Sequence, residues 1–87
     1  MKSFNDLYLE LTTKVASADA SSSSVQLLES GIHEIGKKIV EEAAELWMAA
    51  EHEGDEQVAL EASQLIYYIQ LALIARGVPL SKVEEVL

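Results

Sequence analysis

Carboxylate side chains recur at helical spacing in two stretches of the sequence, KKIVEEAAELWMAA and EASQLIYY. The first stretch carries Glu41, Glu42 and Glu45, and the second carries Glu61 and Gln64. Each contains an i, i+3 pair, a spacing that puts two side chains on one face of a helix. A carboxylate that borders an apolar interior is costly unless a cation or a hydrogen-bond donor compensates it. The pattern therefore predicts a metal site.

A simpler interpretation has to be weighed against a metal site. Most Glu residues on helices are solvated, and the run Glu-Glu-Ala-Ala-Glu alone is more typical of a charged surface. What favours a metal site is that the two pairs fall on adjacent helices, where they can bring three or four oxygen ligands to one cation. Oxygen ligands of this kind suit Mg²⁺ and also Mn²⁺.

Two lysines lie one turn before the first carboxylates. Lys37 and Lys38 are placed to receive phosphate oxygens near a bound cation. The alternative is an intrahelical ion pair between Lys38 and Glu42, which have the i, i+4 spacing of such pairs. The sequence leaves both interpretations open.

Apolar periodicity predicts helices along the chain and no strand. The predicted helices cover about residues 3–15, a short segment from Ser24 to Gly31, residues 32–52, residues 56–76 and a last segment from Ser81. The expected capping residues are Ser3, Ser24 and Asp55 as N-caps, and Ser81 with Glu84 as a capping box. Because the turn between the two long helices is short, we predict an antiparallel hairpin. The fold class is all-α, with flanking helices around this hairpin.

The apolar positions of the two long helices predict which faces are buried. On the first helix, the core face is expected to carry Ile32, Ile35, Ile39, Leu46, Trp47 and Ala50. Glu42 borders this face, whereas Glu41 points further toward solvent. The second helix is apolar on two sides, with Glu61 and Gln64 in a polar notch between them. A second apolar side on so short a chain needs another subunit, so we predict a homodimer with a four-helix-bundle core.

The length and composition of the chain limit its possible partners, its number of domains and its location. The 87 residues include 15 acidic and 6 basic ones, for a formal net charge of -9, which argues against binding to nucleic-acid backbones or anionic membranes. The length allows one domain over residues 1–87. The chain has no cysteine, its N-terminus lacks the apolar run of a secretory signal, and no stretch approaches the roughly 18 apolar residues of a membrane span. We expect a soluble cytoplasmic protein.

The order of these motifs resembles a known family along nearly the whole chain. The runs Lys-Lys-x-x-Glu-Glu-Ala-x-Glu and Arg-Gly…Leu-Ser are similar to those of the phosphoribosyl-ATP pyrophosphatases of histidine biosynthesis. These belong to the MazG-like, all-α nucleoside triphosphate pyrophosphohydrolases, whose mark is an ExxE pair followed by an ExxD pair on the adjacent helix. Glu42 with Glu45 matches the first pair and Glu61 begins the second. Gln64 stands where Asp is usual, which leaves the site one charge short.

The resemblance implies Mg²⁺-dependent hydrolysis of phosphoribosyl-ATP to phosphoribosyl-AMP and pyrophosphate. The implied metal ligands are Glu42, Glu45 and Glu61, with Gln64 as a weaker ligand or an outer-shell group. Glu41 would be a further ligand or the base for the attacking water, and Lys37 and Lys38 would contact phosphates. Two alternatives stay open: a house-cleaning pyrophosphatase for nucleoside or deoxynucleoside triphosphates, of the MazG or dUTPase type, and a catalytically silent helical dimerisation module.

Overall fold

Five α-helices and no strand make up the computed structural model, which describes residues 1–87. In chain order they are α1 (Phe4–Ser17), α2 (Ser23–Ser30), α3 (Ile32–His52), α4 (Asp55–Ala75) and α5 (Leu80–Val86). The all-α prediction is confirmed.

The two long helices α3 and α4 pack against each other as a hairpin and form the body of the molecule. Each has 21 residues, and only Glu53 and Gly54 connect them. So short a link forces the second helix to return antiparallel to the first. The shorter helices α1 and α2 pack on the hairpin and on each other.

The start of α1 follows the sequence prediction. The Ser3 hydroxyl accepts a hydrogen bond from the Asp6 backbone N–H at 3.0 Å, and the Asp6 carboxylate accepts one from the Ser3 N–H at 3.0 Å. This reciprocal capping box satisfies two of the N–H groups that a helix start leaves without partners. At the other end of α1, Ala18 adopts a left-handed conformation with φ of 52°.

Three of the predicted caps are wrong. Ser22, not Ser24, caps α2, and Ser24 is instead buried with its hydroxyl hydrogen-bonded to that of Tyr67. The hydroxyl of Ser24 thus has a tertiary partner that no local pattern reveals. At α4 the N-cap is Gly54, so that Asp55 is the first helical residue. The last helix begins at Leu80 without a side-chain cap.

A small apolar core joins α1, α3 and α4. Its centre consists of Leu11, Ile35 and Leu71, whose side chains are at most 2% exposed. Partly buried apolar side chains surround them, namely Leu7, Leu27, Leu28, Ile39, Tyr67, Tyr68, Ala72 and Ile74. Three fully buried large side chains make a small core for an 87-residue chain, and short chains often need a partner or a ligand to supplement such a core.

The predicted core face of α3 is only partly correct within one chain. Ile35 is fully buried, but Ile32 is 49% and Trp47 is 67% exposed, and Ala50 is exposed as well. Ala49 is buried in their place. The reason is that α2 and α4 pack against α3, with Ile35 joining the core formed with Leu11 and Leu71, whereas the side of α3 that carries Trp47 stays exposed.

Helix α4 has the length and mean hydropathy of a membrane-spanning helix, contrary to our expectation that no segment approaches such a span. Length and hydropathy do not distinguish a span from the central helix of a soluble protein. Two features of α4 are those of a packed helix: Leu71 lies in the core, and Glu61 lies among other carboxylates.

Candidate metal centre and active site

The hairpin brings three of the predicted carboxylates together. Glu42 and Glu45 of α3 and Glu61 of α4 each offer an oxygen, and these three oxygens lie within 4.8 Å of one another. We call this group the carboxylate cluster. Its geometry follows from the chain itself, since Glu45 and Glu61 lie at nearly equal numbers of residues before and after the Glu53–Gly54 link. With about 1.5 Å of rise per residue, antiparallel helices place such residues at the same height.

Burial and repulsion between neighbouring carboxylates both disfavour the ionised form of the cluster. One carboxylate oxygen of Glu42 and one of Glu61 are buried without any hydrogen-bond partner. Burial raises the pKa of the Glu42 carboxyl to about 7, and the neighbouring carboxylates of Glu45 and Glu61 add to the shift. Buried carboxylate oxygens without partners are costly, so the cluster is an incomplete arrangement that a positive charge would complete.

Gln57 is a member of the site that the sequence analysis missed. Its side-chain amide donates a hydrogen bond to the Glu61 carboxylate at 2.8 Å, from one turn earlier on α4. This bond occupies one oxygen of Glu61, and the other oxygen is the one that is buried without a partner. The only sequence signal was the i, i+4 spacing of Gln57 and Glu61, which is common on helices.

Lys38 lies beside the cluster but pairs with Glu41 rather than with Glu42. Its ammonium is 3.2 Å from the Glu41 carboxylate, so the predicted i, i+4 ion pair is replaced by an i, i+3 pair. Glu41 raises the pKa of the Lys38 ammonium, chiefly by this hydrogen bond, and Tyr68 and Glu42 contribute through their charges. Burial raises the pKa of the neighbouring Tyr68 hydroxyl. Glu41 itself is exposed and outside the cluster.

The two remaining predicted site residues, Lys37 and Gln64, lie on different helices, α3 and α4. Lys37 pairs with Glu34 at 3.1 Å and lines a surface concavity with His33 and Gly36, which neither Glu42 nor Glu45 lines. Its ammonium thus pairs with Glu34 and with no carboxylate of the cluster. Gln64 is half-buried one turn beyond Glu61 on α4. By height along the hairpin it is level with Glu42.

The cluster fits a hard divalent cation. Mg²⁺ binds oxygens at 2.0–2.1 Å in an octahedron, so opposite ligands are about 4.2 Å apart. The oxygens of the cluster fall within a comparable span of 4.8 Å. The two buried oxygens without partners are the observation that distinguishes this group from ordinary solvated helix carboxylates.

The family model for phosphoribosyl-ATP pyrophosphohydrolases matches residues 4–87, which include every helix and the whole carboxylate cluster. The chain belongs to the phosphoribosyl-ATP pyrophosphohydrolase family. A curated relative from Streptomyces coelicolor (strain ATCC BAA-471 / A3(2) / M145), named phosphoribosyl-ATP pyrophosphatase, is 51% identical over 83 residues. The alignment spans 94% of this chain and 92% of the relative.

Membership of the phosphoribosyl-ATP pyrophosphohydrolase family confirms the resemblance that was read from the motifs, and with it the assignment to the hydrolases. The match extends over the full hairpin, so no part of the site falls outside it. The roles of all the predicted site residues stay predictions, since family membership alone assigns no residue a role. They are Glu41, Glu42, Glu45, Glu61, Gln64, Lys37 and Lys38.

Proposed function

We propose that the chain hydrolyses phosphoribosyl-ATP to phosphoribosyl-AMP and pyrophosphate in histidine biosynthesis, in the cytoplasm. The observation that carries the proposal is the family match across residues 4–87. The convergence of Glu42, Glu45 and Glu61 supports it, because pyrophosphate release needs charge neutralisation on phosphate oxygens.

Our proposal includes Mg²⁺ as the cofactor, with Mn²⁺ as a substitute of similar ligand preference. Glu42, Glu45 and Glu61 would hold the ion, with Gln64 as a weaker ligand or as a partner for its water. When bound, the cation supplies neutralising charge to the phosphate oxygens and lowers the pKa of a bound water.

The other side chains of the site are proposed to orient and to bind. Gln57 holds the Glu61 carboxylate in one rotamer, so that its second oxygen is directed into the cluster. Lys38 offers a positive charge to the phosphates, and Glu41, released from Lys38 by the substrate, accepts the proton of the attacking water. Of the two predicted phosphate contacts we place Lys38 first, because its ammonium is close enough to Glu42 to respond to its charge. Lys37, which pairs with Glu34, stays a predicted second contact.

Pyrophosphate release from phosphoribosyl-ATP in the presence of Mg²⁺ tests the activity. Glu42→Ala and Glu45→Ala are expected to lower kcat/KM at least a hundredfold, whereas Glu29→Ala, an exposed position on α2, serves as the matched control. A preference for deoxynucleoside triphosphates over phosphoribosyl-ATP would replace the proposal with the house-cleaning alternative. Undiminished release by both site variants would overturn the assigned residues.

The silent-module alternative is tested by the metal alone. A specific site must raise the thermal stability of the wild-type protein as Mg²⁺ is added, by mass action. The rise should be absent from the Glu42→Ala variant. An equal response of the two proteins would assign the effect to general screening of the net charge of -9.

We infer further that the active form is a homodimer. Large apolar side chains stay exposed on both long helices, at 70% for Val40 and 67% for Trp47 on α3 and 43% for Ile69 on α4, and exposed apolar surface of this kind marks an interaction site. Since these side chains belong to both long helices, a second copy that covered them would produce a four-helix core. The small core within one chain leaves the same need for a partner.

A further inference from the structure

Along α3, six residues form a stripe that no part of the chain covers. They recur alternately three and four residues apart and are His33, Gly36, Val40, Ala43, Trp47 and Ala50. Gly36 is half-exposed and the other five are exposed. An average spacing of 3.5 residues is the period at which one helix keeps a continuous seam against another. We call this stripe the α3 seam.

Side-chain size alternates along the α3 seam. The first position of each repeat is large, and is occupied by His33, Val40 and Trp47. The second position is small, and is occupied by Gly36, Ala43 and Ala50. In a parallel pair of identical helices, large residues would meet large ones and small residues would meet small ones, leaving alternate clashes and voids. In an antiparallel pair, first positions meet second positions.

We propose that the homodimer inferred above, on which this step rests, is held by antiparallel pairing of two α3 seams. The two-fold axis passes between Glu41 and Glu42. About this axis Trp47 packs on the partner's Gly36, Val40 on the partner's Ala43, and His33 on the partner's Ala50. All three pairs join a large residue to a small one, and one register satisfies them all. An isologous interface of this kind uses the same patch on both copies.

Gly36 supports this register independently. Within the chain, a Cβ added at Gly36 would meet no atom within 4 Å, so the interior gives no reason for glycine there. Glycine inside a helix is unfavourable relative to alanine. The largest surface concavity of the chain, about 610 Å³, is lined by Gly36 together with His33, Lys37, Val40 and Glu41. The indole of the partner's Trp47 would fill this concavity.

Charges beside the α3 seam are complementary in the same register. Lys37 follows Gly36, and Glu51 follows Ala50, so both lie on the same flank of the seam. Antiparallel pairing directs Lys37 toward the partner's Glu51, and the two-fold axis repeats the pair. Within the chain Lys37 pairs with Glu34, and Glu51 accepts from the Trp47 indole and lies 3.6 Å from the His52 imidazole. These are solvent-accessible contacts, so exchanging them for the pair across the interface costs little.

Disulfide trapping tests the register, and the natural chain helps because it has no cysteine. His33→Cys and Ala50→Cys are made as separate variants, mixed and oxidised. We expect a disulfide-linked dimer from the mixture and none from either variant alone, since identical positions would be about 25 Å apart along the axis, beyond disulfide reach. A mixture of Lys38→Cys with Ala50→Cys is the matched control and should stay unlinked.

The outcomes separate this proposal from the wider function. Linkage of His33→Cys to itself would mean a parallel seam and would overturn the register. A dimer by sedimentation without linkage in the mixture would overturn the α3 seam and leave the homodimer standing. If the protein is monomeric by sedimentation and still releases pyrophosphate, both the pairing of the α3 seams and the homodimer are overturned. The proposed reaction would then stand.

A second experiment tests the contact between Trp47 and the partner's Gly36. Gly36→Leu has free space within its own chain, so the proposal alone predicts a clash. We expect the dimer Kd to rise about a hundredfold, about tenfold for each of the two symmetric contacts. Adding Trp47→Ala to Gly36→Leu should recover most of the loss, because the new leucine then packs on alanine. An unchanged Kd for Gly36→Leu, or no recovery in the double variant, would overturn the contact.

Discussion

The Glu42 carboxylate illustrates how one side chain links the site to stability. Its pKa is raised from 4.5 to about 7, first by burial and then by Glu45 and Glu61. The folded state therefore holds this proton more tightly than the unfolded chain. The resulting contribution to the free energy of unfolding is complete below about pH 4.5 and is lost as the pH rises to about 7.

We expect the metal-free wild type to lose stability over this interval relative to Glu42→Gln, whose neutral amide does not titrate. The comparison is needed because Asp6, Glu10 and Asp19 have lowered pKa values and act in the opposite direction at lower pH. Urea unfolding in EDTA at several pH values gives the difference between the two proteins. A difference that stays constant from pH 4.5 to pH 7.5 would contradict the assignment.

Gln57 leads to a second prediction at the residue scale. Removing a partner that orients a metal ligand typically weakens metal binding by about 10–100-fold. Gln57→Ala should therefore raise the Mg²⁺ concentration at the midpoint of the thermal-shift titration by at least about tenfold. Gln26→Ala is the control, since Gln26 also donates its amide to an acceptor but lies on the surface of α2. Equal midpoints for both variants would exclude an orienting role.

Residue types and spacing predicted the cluster but not its details. The i, i+3 pairs identified Glu42, Glu45 and Glu61, because the helical period decides which side chains share a face. The same spacing could not identify Gln57, since i, i+4 pairs of Gln and Glu occur on many helices with no ligand. Nor could it decide that Lys38 pairs with Glu41, which depends on which flank of α3 is solvated.

At the scale of the helix, α4 shows why apolar periodicity did not determine the core. The helix is apolar on two sides, so the sequence alone could not tell which side faces α1 and α2. In the structure Leu71 and Gln70 are buried, and the Gln70 amide donates to the Phe4 carbonyl at 3.0 Å. Ile69, on the other side, is 43% exposed. Contacts with residues that are distant in the sequence therefore determine which side of α4 is buried.

The link between α2 and α4 gives the prediction at this scale. The buried Ser24 hydroxyl bonds to the Tyr67 hydroxyl, and the Tyr67 ring stacks edge-on against Tyr68 with centroids 4.9 Å apart. Tyr67→Phe keeps the ring and removes the bond, so it should lower the free energy of unfolding by about 1 kcal/mol. Ser23→Ala, at an exposed neighbouring serine, should change it by less than about 0.5 kcal/mol. Chemical denaturation compares the two, and equal losses would show that the bond contributes nothing.

For the whole molecule, stability and assembly depend on the same apolar surface. The core of one chain is small, and large apolar side chains of both long helices remain exposed. Covering those side chains with a second copy would make folding and dimerisation one process. In that case a higher protein concentration stabilises the folded state, because unfolding releases two chains from each dimer.

We therefore expect the melting temperature of the metal-free protein to rise with protein concentration. A tenfold increase corresponds to about 1.4 kcal/mol for the dimer, which shifts the melting temperature by about 3–5 °C for a folded unit of roughly 150–250 residues. Differential scanning calorimetry over two decades of concentration measures this slope. Gly36→Leu should flatten it by dissociating the dimer, while Thr13→Leu, which adds the same side chain to an exposed position of α1, should retain it. A wild-type melting temperature independent of concentration would mean that the chain folds alone and that the exposed apolar side chains of the hairpin serve another partner.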